Sequence, residues 1–385
     1  MASSLFIGLM SGTSLDGVDG VVAHIPPTGT LRVLAYASQP FATALRAELL
    51  ALNQPGPNEL HRAALASNAL AEAYAEVVAE LLRAAGVAAA DIVAIGAHGQ
   101  TVRHRPGTFD GTGYTVQLGN PSLLAERTGI DVVADLRSAD VAAGGQGAPL
   151  VPAFHAEVFG QQHPAPLVLN IGGISNLSVL QPGPVLGFDC GPGNVLLDLW
   201  CQRHTGAAYD AHGDWAAQGQ VHTALLQRLL QEPFLALPAP KSTGRDLFHA
   251  QWLDAHLQSV PALPPVDVQA TLTRFTARCC ADAARPYGLG TAPILAVCGG
   301  GAFNRTLMTM LGEDLPGWTV VSTDALGLPP QQVEATAFAW LAARRVRGQA
   351  GNLPAVTGAS GLRTLGAWHA RPPRSLSDLG RRKRT

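Results

Sequence analysis

The chain has little charge, few cysteines and no long apolar run. Only 14% of its 385 residues are Asp, Glu, Lys or Arg, and they leave a net charge of −2. That balance recruits neither nucleic acid nor an anionic membrane surface. Five cysteines, Cys190, Cys201, Cys279, Cys280 and Cys298, are odd in number and lack a C-x-x-C spacing. The adjacent pair is poorly placed to bridge itself, and the set reads as reduced cytosolic thiols. The first apolar run, Leu5 to Met10, is broken by Gly8 and is shorter than a signal-peptide core. No stretch approaches the roughly twenty apolar residues of a membrane helix, so a cytoplasmic protein with small-molecule partners is expected. A Walker lysine is also missing, since no G-x-x-x-x-G-K-[ST] precedes Lys241. This excludes a P-loop and leaves other nucleotide sites open. The run Arg381-Arg382-Lys383-Arg384 follows prolines and serines and reads as a solvated basic tail.

At 385 residues the chain exceeds the size at which one core usually stops growing, so two domains with a ligand cleft between them are expected. Hydrophobic residues at 47% with 42 glycines fit a lean α/β protein. Strand and helix signals alternate. Leu31 to Ser38 reads as a strand, Glu59 to Ala85 as an alanine-rich helix stopped by Gly86, and Asp91 to Ala97 as a buried strand. Thr115 to Leu118, Pro121 to Thr128 and Ile130 to Leu136 read as strand, helix and strand. The glycine-rich segment 142–152 is expected to be a hinge. Beyond it come a hairpin over 167–180, a strand from Val185 and a helix from Val195 to His204. Helical stretches around Trp252 and over 266–286 follow, then a buried strand from Pro293 that opens onto three glycines, and a helix over 331–347 carrying Glu334. The two halves share one order of elements, which points to duplication of an α/β unit.

The most telling segment is Phe6-Ile-Gly-Leu-Met-Ser-Gly-Thr-Ser-Leu-Asp-Gly-Val-Asp-Gly, two apolar runs around a turn of glycines, hydroxyls and a carboxylate. Gly12 and Gly17 permit close approach of the backbone to an anion, the amides and hydroxyls of Ser11, Thr13 and Ser14 supply donors, and Asp16 suits a water-coordinated Mg²⁺. An ordinary surface hairpin with a polar turn is the other reading of one such turn. A second copy, Leu167-Val-Leu-Asn-Ile-Gly-Gly-Ile-Ser-Asn-Leu-Ser-Val, favours a pair of phosphate clamps. Asp189, ending the strand Val185-Leu-Gly-Phe-Asp before Cys-Gly-Pro-Gly-Asn194, fits a helix cap or a base projecting into a cleft. Arg137 suits a carboxylate ligand through its planar fork, or an ion pair with Asp135 or Asp140. His98 and His104 lack a third ligand of matching spacing and read as turn or core residues rather than metal ligands.

Taken in order, Gly8-Leu-Met-Ser-Gly-Thr-Ser-Leu-Asp-Gly17, His98-Gly-Gln-Thr, Gln117-Leu-Gly-Asn-Pro, Asp131-Val-Val-Ala-Asp-Leu-Arg137, Gly144-Gly-Gln-Gly-Ala-Pro-Leu-Val-Pro152, Phe188-Asp-Cys-Gly-Pro-Gly-Asn194, Lys241-Ser-Thr-Gly-Arg245 and Cys298-Gly-Gly-Gly-Ala-Phe-Asn304 resemble the motifs of the anhydro-N-acetylmuramic acid kinases. These belong to the sugar kinase, actin and heat-shock ATPase superfamily. The resemblance runs from Phe6 to about Leu365 and implies an α/β fold of two ribonuclease-H-like (actin-like ATPase) domains with an interdomain cleft. It implies domains over 1–136, with 345–370 packing back on it, and over 137–344, before a tail at 371–385. The family opens the 1,6-anhydro ring of its sugar with water and moves the ATP γ-phosphoryl group to the 6-oxygen in peptidoglycan recycling. Carried to this chain, that implies ATP with Mg²⁺ at Gly12, Thr13, Ser14, Leu15, Asp16, Gly17, Val18 and Asp19, faced by Gly172 and Gly173. Gly299, Gly300, Gly301 and Asn304 would meet the adenosine end. Thr101 and Arg137 would bind the sugar, and Asp189 would be the catalytic base. A cytoplasmic homodimer is also implied. An ordinary sugar kinase, a chaperone-like ATPase module and a plain glycosidase are the competing readings, and fold alone does not separate them.

Overall fold

The structure, a computed structural model, describes residues 4–12, 14–162, 165–180, 183–239, 241–244 and 247–373. Thr13, Arg245 and the basic run 381–384 lie outside the described residues. The chain divides into two units. One comprises the residues up to Gly147 together with Glu334–Asn352 and those from Ala359, and the other Ala148–Val333 with Leu353–Gly358.

The first unit carries strands β1 (Leu5–Met10), β2 (Gly17–His24), β3 (Arg32–Pro40), β4 (Ile92–Ala97), β5 (Gln100–Pro106), β6 (Gly113–Leu118) and β7 (Val132–Ala134). Its main sheet runs β3-β2-β1-β4-β7, with the late strand Ala367–His369 added antiparallel beside β7. The first three strands are antiparallel neighbours, and β4 and β7 continue in parallel with β1. β5 and β6 form a separate hairpin. The helix Glu59–Ala85 ends as expected at Gly86, which adopts φ 65°. It buries Leu70, Tyr74, Val77, Val78 and Leu81 against the sheet, a spacing of three and four that keeps them on one face. Each such aliphatic side chain contributes roughly 2 kcal/mol by leaving water.

The second unit repeats the plan. Its strands β8 (Leu167–Ile171), β9 (Ile174–Val179), β10 (Leu186–Pro192), β11 (Ile294–Cys298) and β12 (Thr319–Ser322) lie in the order β10-β9-β8-β11-β12. Again three antiparallel strands precede two parallel ones. Helices Val195–Thr205 and Pro265–Ala284 supply its helical layer, with Leu196, Leu272 and Phe275 in the core. Both units therefore have the ribonuclease-H-like strand order.

Local differences from the sequence reading have physical causes. The strand expected over Ile130 to Leu136 shortens to three residues because Asp135 turns to φ 52°. The hinge segment leads directly into a helix, Val151–Phe159. The division falls after Gly147 and after Val333 rather than after 136 and after 344. Buried Asp140 explains the first of these, since its carboxylate accepts the Gly147 amide at 2.8 Å and the Asn352 side-chain amide at 2.7 Å. Glycines explain the second. Gly8 on β1 and Gly96 on β4 sit side by side in register, and a Cβ at either would lie 1.8 Å from Ala335 O or 2.0 Å from Phe338 O. The helix Val333–Val346 rests its backbone on that flat patch.

Gly96→Ala should therefore cost about 2 kcal/mol or more, because the obstructing atoms belong to backbone and have nowhere to fold away. The double change with Gly8→Ala should cost less than the sum, as the helix has already been displaced. Denaturant titration measures both; an unchanged midpoint for Gly96→Ala would refute the close approach.

Candidate active site

The first hairpin, β1–β2, turns through residues 11–16. Its Ser11 hydroxyl is buried, donating to Gly99 O at 3.0 Å and accepting from the Tyr74 hydroxyl at 2.9 Å. That hydroxyl is thus occupied within the unit, contrary to its expected use on phosphate. The backbone carbonyls of the turn are held instead. Ser11 O meets His98 Nδ1 at 3.1 Å, and Gly12 O accepts from Gln100 Nε2 at 3.1 Å and from the Leu15 amide at 3.2 Å. A trans peptide sets a carbonyl and the following N–H on opposite sides, so fixing Ser11 O inward turns the Gly12 amide outward. Leu15 and Val18 bury their side chains, leaving only their backbones for a ligand. Asp16 is exposed, whereas the Asp19 carboxylate accepts the Tyr36 hydroxyl at 2.6 Å. Gly17 is glycine for a different reason from the expected one: a Cβ there would lie 2.2 Å from Gln39 O on β3.

Arg137 is brought to the same turn through His98. Its guanidinium donates from Nη2 to His98 Nε2 at 2.9 Å and from Nη1 to Gly147 O at 2.7 Å, while its Nε is buried without a partner among the described residues. Burial lowers its pKa to about 10, with Glu334 and Asp140 pulling the other way. Thr101 stands across the β5–β6 pair from Gln117, whose side-chain amide donates to its hydroxyl at 3.2 Å. His104 bonds Thr115 at 2.9 Å, which fits the expected structural role. A hollow of about 310 Å³ is lined by Tyr74, His98, Gln117, Asn120, Ser138 and His369, while Arg137 and Thr101 are not among its lining residues.

In the second unit the Gly172–Gly173 turn joins β8 to β9. Gly172 O accepts the Asn194 amide at 2.8 Å, and Gly173 O accepts those of Gly193 and Val195 at 2.9 and 3.1 Å. The carbonyls again point backward, here into the start of helix Val195–Thr205, and the Gly173 amide faces the other way. The loop after β11 lies alongside, because β11 and β8 are parallel neighbours with Cys298 opposite Asn170. Within it, Gly299 and Gly301 are fixed by packing against Asn170 and Ile171, while Gly300 is exposed and open. Asn304 is buried and caps helix Arg305–Asp314, its Oδ1 accepting the Leu307 amide at 2.9 Å.

Asp189 sits on β10 at a bulge, where the register with β9 shifts between Asp189 and Gly191. Bulges re-aim a side chain and break regular pairing. One Asp189 oxygen accepts the Thr243 amide at 2.8 Å. Burial lifts its pKa from 3.8 to about 7, against smaller downward pulls from that amide and from Lys241. Lys241 itself is engaged elsewhere, donating to Phe234 O and Leu235 O at 3.2 and 2.9 Å and lying over the Phe234 ring. Asp189 belongs to a lateral row absent from the sequence reading. It pairs with Asn176, Asn176 with Asn170, and Asn170 with Cys298, which puts all four side chains on one face of the sheet. The sequence signal was available in Leu-Asn-Ile-Gly-Gly-Ile-Ser-Asn, where each asparagine interrupts a buried apolar strand.

The chain is similar to known proteins over almost its whole length. The family model described as anhydro-N-acetylmuramic acid kinase matches residues 4–371. A protein of that name from Albidiferax ferrireducens is 58% identical over 386 residues, covering 95% of this chain and 99% of its own. Another from Variovorax paradoxus is 60% identical over 373 residues, covering 95% and 99%. A third from Bordetella petrii is 60% identical over 367 residues, covering 94% and 95%.

The elevated Asp189 pKa has a measurable consequence for stability. Between pH 3.8 and about 7 the native protein holds a proton that the unfolded chain releases. The carboxyl's contribution is therefore fully present below pH 3.8 and declines until the pH passes about 7. Asp189→Asn should melt at the same temperature as the parent near pH 4 and at a higher one near pH 8. Scanning calorimetry at the two pH values tests this; a variant less stable at pH 8 would contradict the desolvated site.

Proposed function

The chain belongs to the anhydro-N-acetylmuramic acid kinase family, and we propose that it opens the 1,6-anhydro ring of anhydro-N-acetylmuramic acid with water while transferring the ATP γ-phosphoryl group to the 6-oxygen, giving N-acetylmuramic acid 6-phosphate. The observation that carries this reading is Asp189, a desolvated carboxylate with a pKa of about 7 at a strand bulge. A base is most effective when its pKa lies near the working pH, where it is substantially ionised and still binds a proton well. Asp189 takes a proton from water as the water oxygen attacks the anomeric carbon. The bond from that carbon to the 6-oxygen breaks, the 6-oxygen attacks the γ-phosphorus as the bond to ADP breaks and ADP leaves, and the proton passes to solvent. Attack from the face opposite the leaving oxygen inverts the anomeric carbon.

Each unit has a turn suited to phosphate in this proposal. In the first unit the stretch from Gly12 to Asp19 holds ATP phosphates, with the outward Gly12 amide as a donor, and in the second Gly172 and Gly173 do so, with the outward Gly173 amide as a donor. Gly300, the open member of its triplet, lies against the nucleoside end. Among the described residues no group of three or more His, Cys, Asp or Glu is suited to a metal. Mg²⁺ would keep several waters and take the rest of its oxygens from substrate phosphates, with exposed Asp16 as the protein carboxylate. When bound it would neutralise charge on the β- and γ-phosphate oxygens. Arg137, with its unpartnered Nε, holds the lactyl carboxylate, and the hollow lined by Gln117 and Asn120 receives the sugar ring. No described helix is long and apolar enough to cross a membrane; a cytoplasmic homodimer completes the proposal.

Run in heavy-oxygen water, the reaction should place label on the anomeric hydroxyl, none on the transferred phosphate, and release the α-anomer first. Label on phosphate, or faster phosphorylation of the open sugar, would replace this reading with an ordinary sugar kinase. Asp189→Asn should lower kcat on the order of a hundredfold or more, and the rise of the parental kcat/KM with pH should centre near 7. Gly173→Val should weaken ATP binding by obstructing the amide edge, which calorimetric titration reads directly.

A further inference from the structure

His98 is buried at the end of β4, its ring 4.7 Å from that of Phe338, and its two nitrogens have partners of opposite kind. The Ser11 carbonyl at Nδ1 only accepts, and the Arg137 guanidinium at Nε2 only donates. These partners allow one state: neutral imidazole, with its proton on Nδ1 and a lone pair on Nε2. The depressed pKa, about 3 through burial and the nearby Arg137 charge, accords with the same neutral form.

We infer that His98 is a positioning residue that couples the two substrates, holding Arg137 for the sugar carboxylate with one nitrogen and the Ser11 carbonyl away from the ATP phosphates with the other. This rests on the functional reading above. A carboxylate on Arg137 fixes the guanidinium, which fixes the ring and with it the turn whose Gly12 amide faces outward. By linkage, ATP at the turn then strengthens sugar binding by the same factor. Gln100 holds the next carbonyl but has no bond to Arg137, so it stabilises the turn without sensing the sugar.

Two amide substitutions separate the two bonds. His98→Asn places a donor near the position of Nδ1 and no acceptor near that of Nε2, whereas His98→Gln places its amide near Nε2 and loses the Ser11 bond. A non-hydrolysable ATP analogue is titrated calorimetrically with and without the anhydro sugar. The parent should bind the analogue at least fivefold more tightly with sugar present. His98→Asn should weaken sugar binding about tenfold, leave the analogue alone within twofold, and bring the coupling close to one. His98→Gln should weaken the analogue and spare the sugar. A merely structural residue would shift both affinities alike in both variants, and that pattern overturns the inference. Nitrogen-15 NMR of the parent protein gives an independent reading that needs no variant to fold: a proton on Nε2, or an imidazolium near pH 7, also overturns it. Binding of both ligands without coupling sinks the link alone, while a parent that binds neither ligand sinks the functional reading and the link together.

Discussion

A carbonyl oxygen aimed at a phosphate repels it, so a backbone turn grips an anion only when its carbonyls are engaged elsewhere. Much of the architecture follows from this requirement. In the first unit, side chains from the end of β4 and the start of β5, His98 and Gln100, engage the carbonyls of Ser11 and Gly12. In the second, the amides at the start of helix Val195–Thr205 engage those of Gly172 and Gly173. Asn194 makes no side-chain cap on that helix, and its side-chain amide donates instead to Ile171 O at 3.3 Å. Gly193 must lack a side chain, since a Cβ there would lie 2.3 Å from Gly172 O. One electrostatic constraint thus has two unrelated solutions in two units of shared strand order.

Asp189 represents the opposite use of burial. Its surroundings include the buried thiols Cys190 and Cys279, whose pKa values are both pushed well above the ordinary thiol value by burial and neighbouring groups. They stay neutral and add no second negative charge. Among the described residues Lys241 is the cation that acts on it, yet its ammonium is bonded to two carbonyls and exerts a smaller influence on the carboxylate than desolvation does. A base made strong in this way weakens the fold at neutral pH. Stability and proton affinity therefore compete at this residue.

The hairpins, the long helix and its glycine stop, and the strand before Asp189 were legible in the sequence because each depends on local periodicity and turn chemistry. What escaped depended on partners distant in the chain. Ser11 carries a hydroxyl in a turn, yet Tyr74 and Gly99 determine that it points inward. Gly17 lies in a glycine-rich turn, yet its missing side chain makes room for Gln39 O. Asn304 follows the three glycines and caps the next helix, a role its spacing before Leu307 already allowed. The asparagines of the polar row stand out in the sequence, but their alignment from Asp189 to Cys298 follows only once four strands are in register.

The flat patch at Gly8 and Gly96 also bears on the order in which the chain is made. The helix that covers it begins at Val333, and the strand that flanks β7 begins at Ala367. A ribosome that has released residues 1–147 has therefore produced a sheet with one face uncovered and one edge open. The whole second unit apart from Leu353–Gly358 emerges before that cover arrives. Meanwhile the nascent first unit exposes apolar strand surface of the kind that chaperones recognise. The amino-terminal half, first to appear, is the last to be finished.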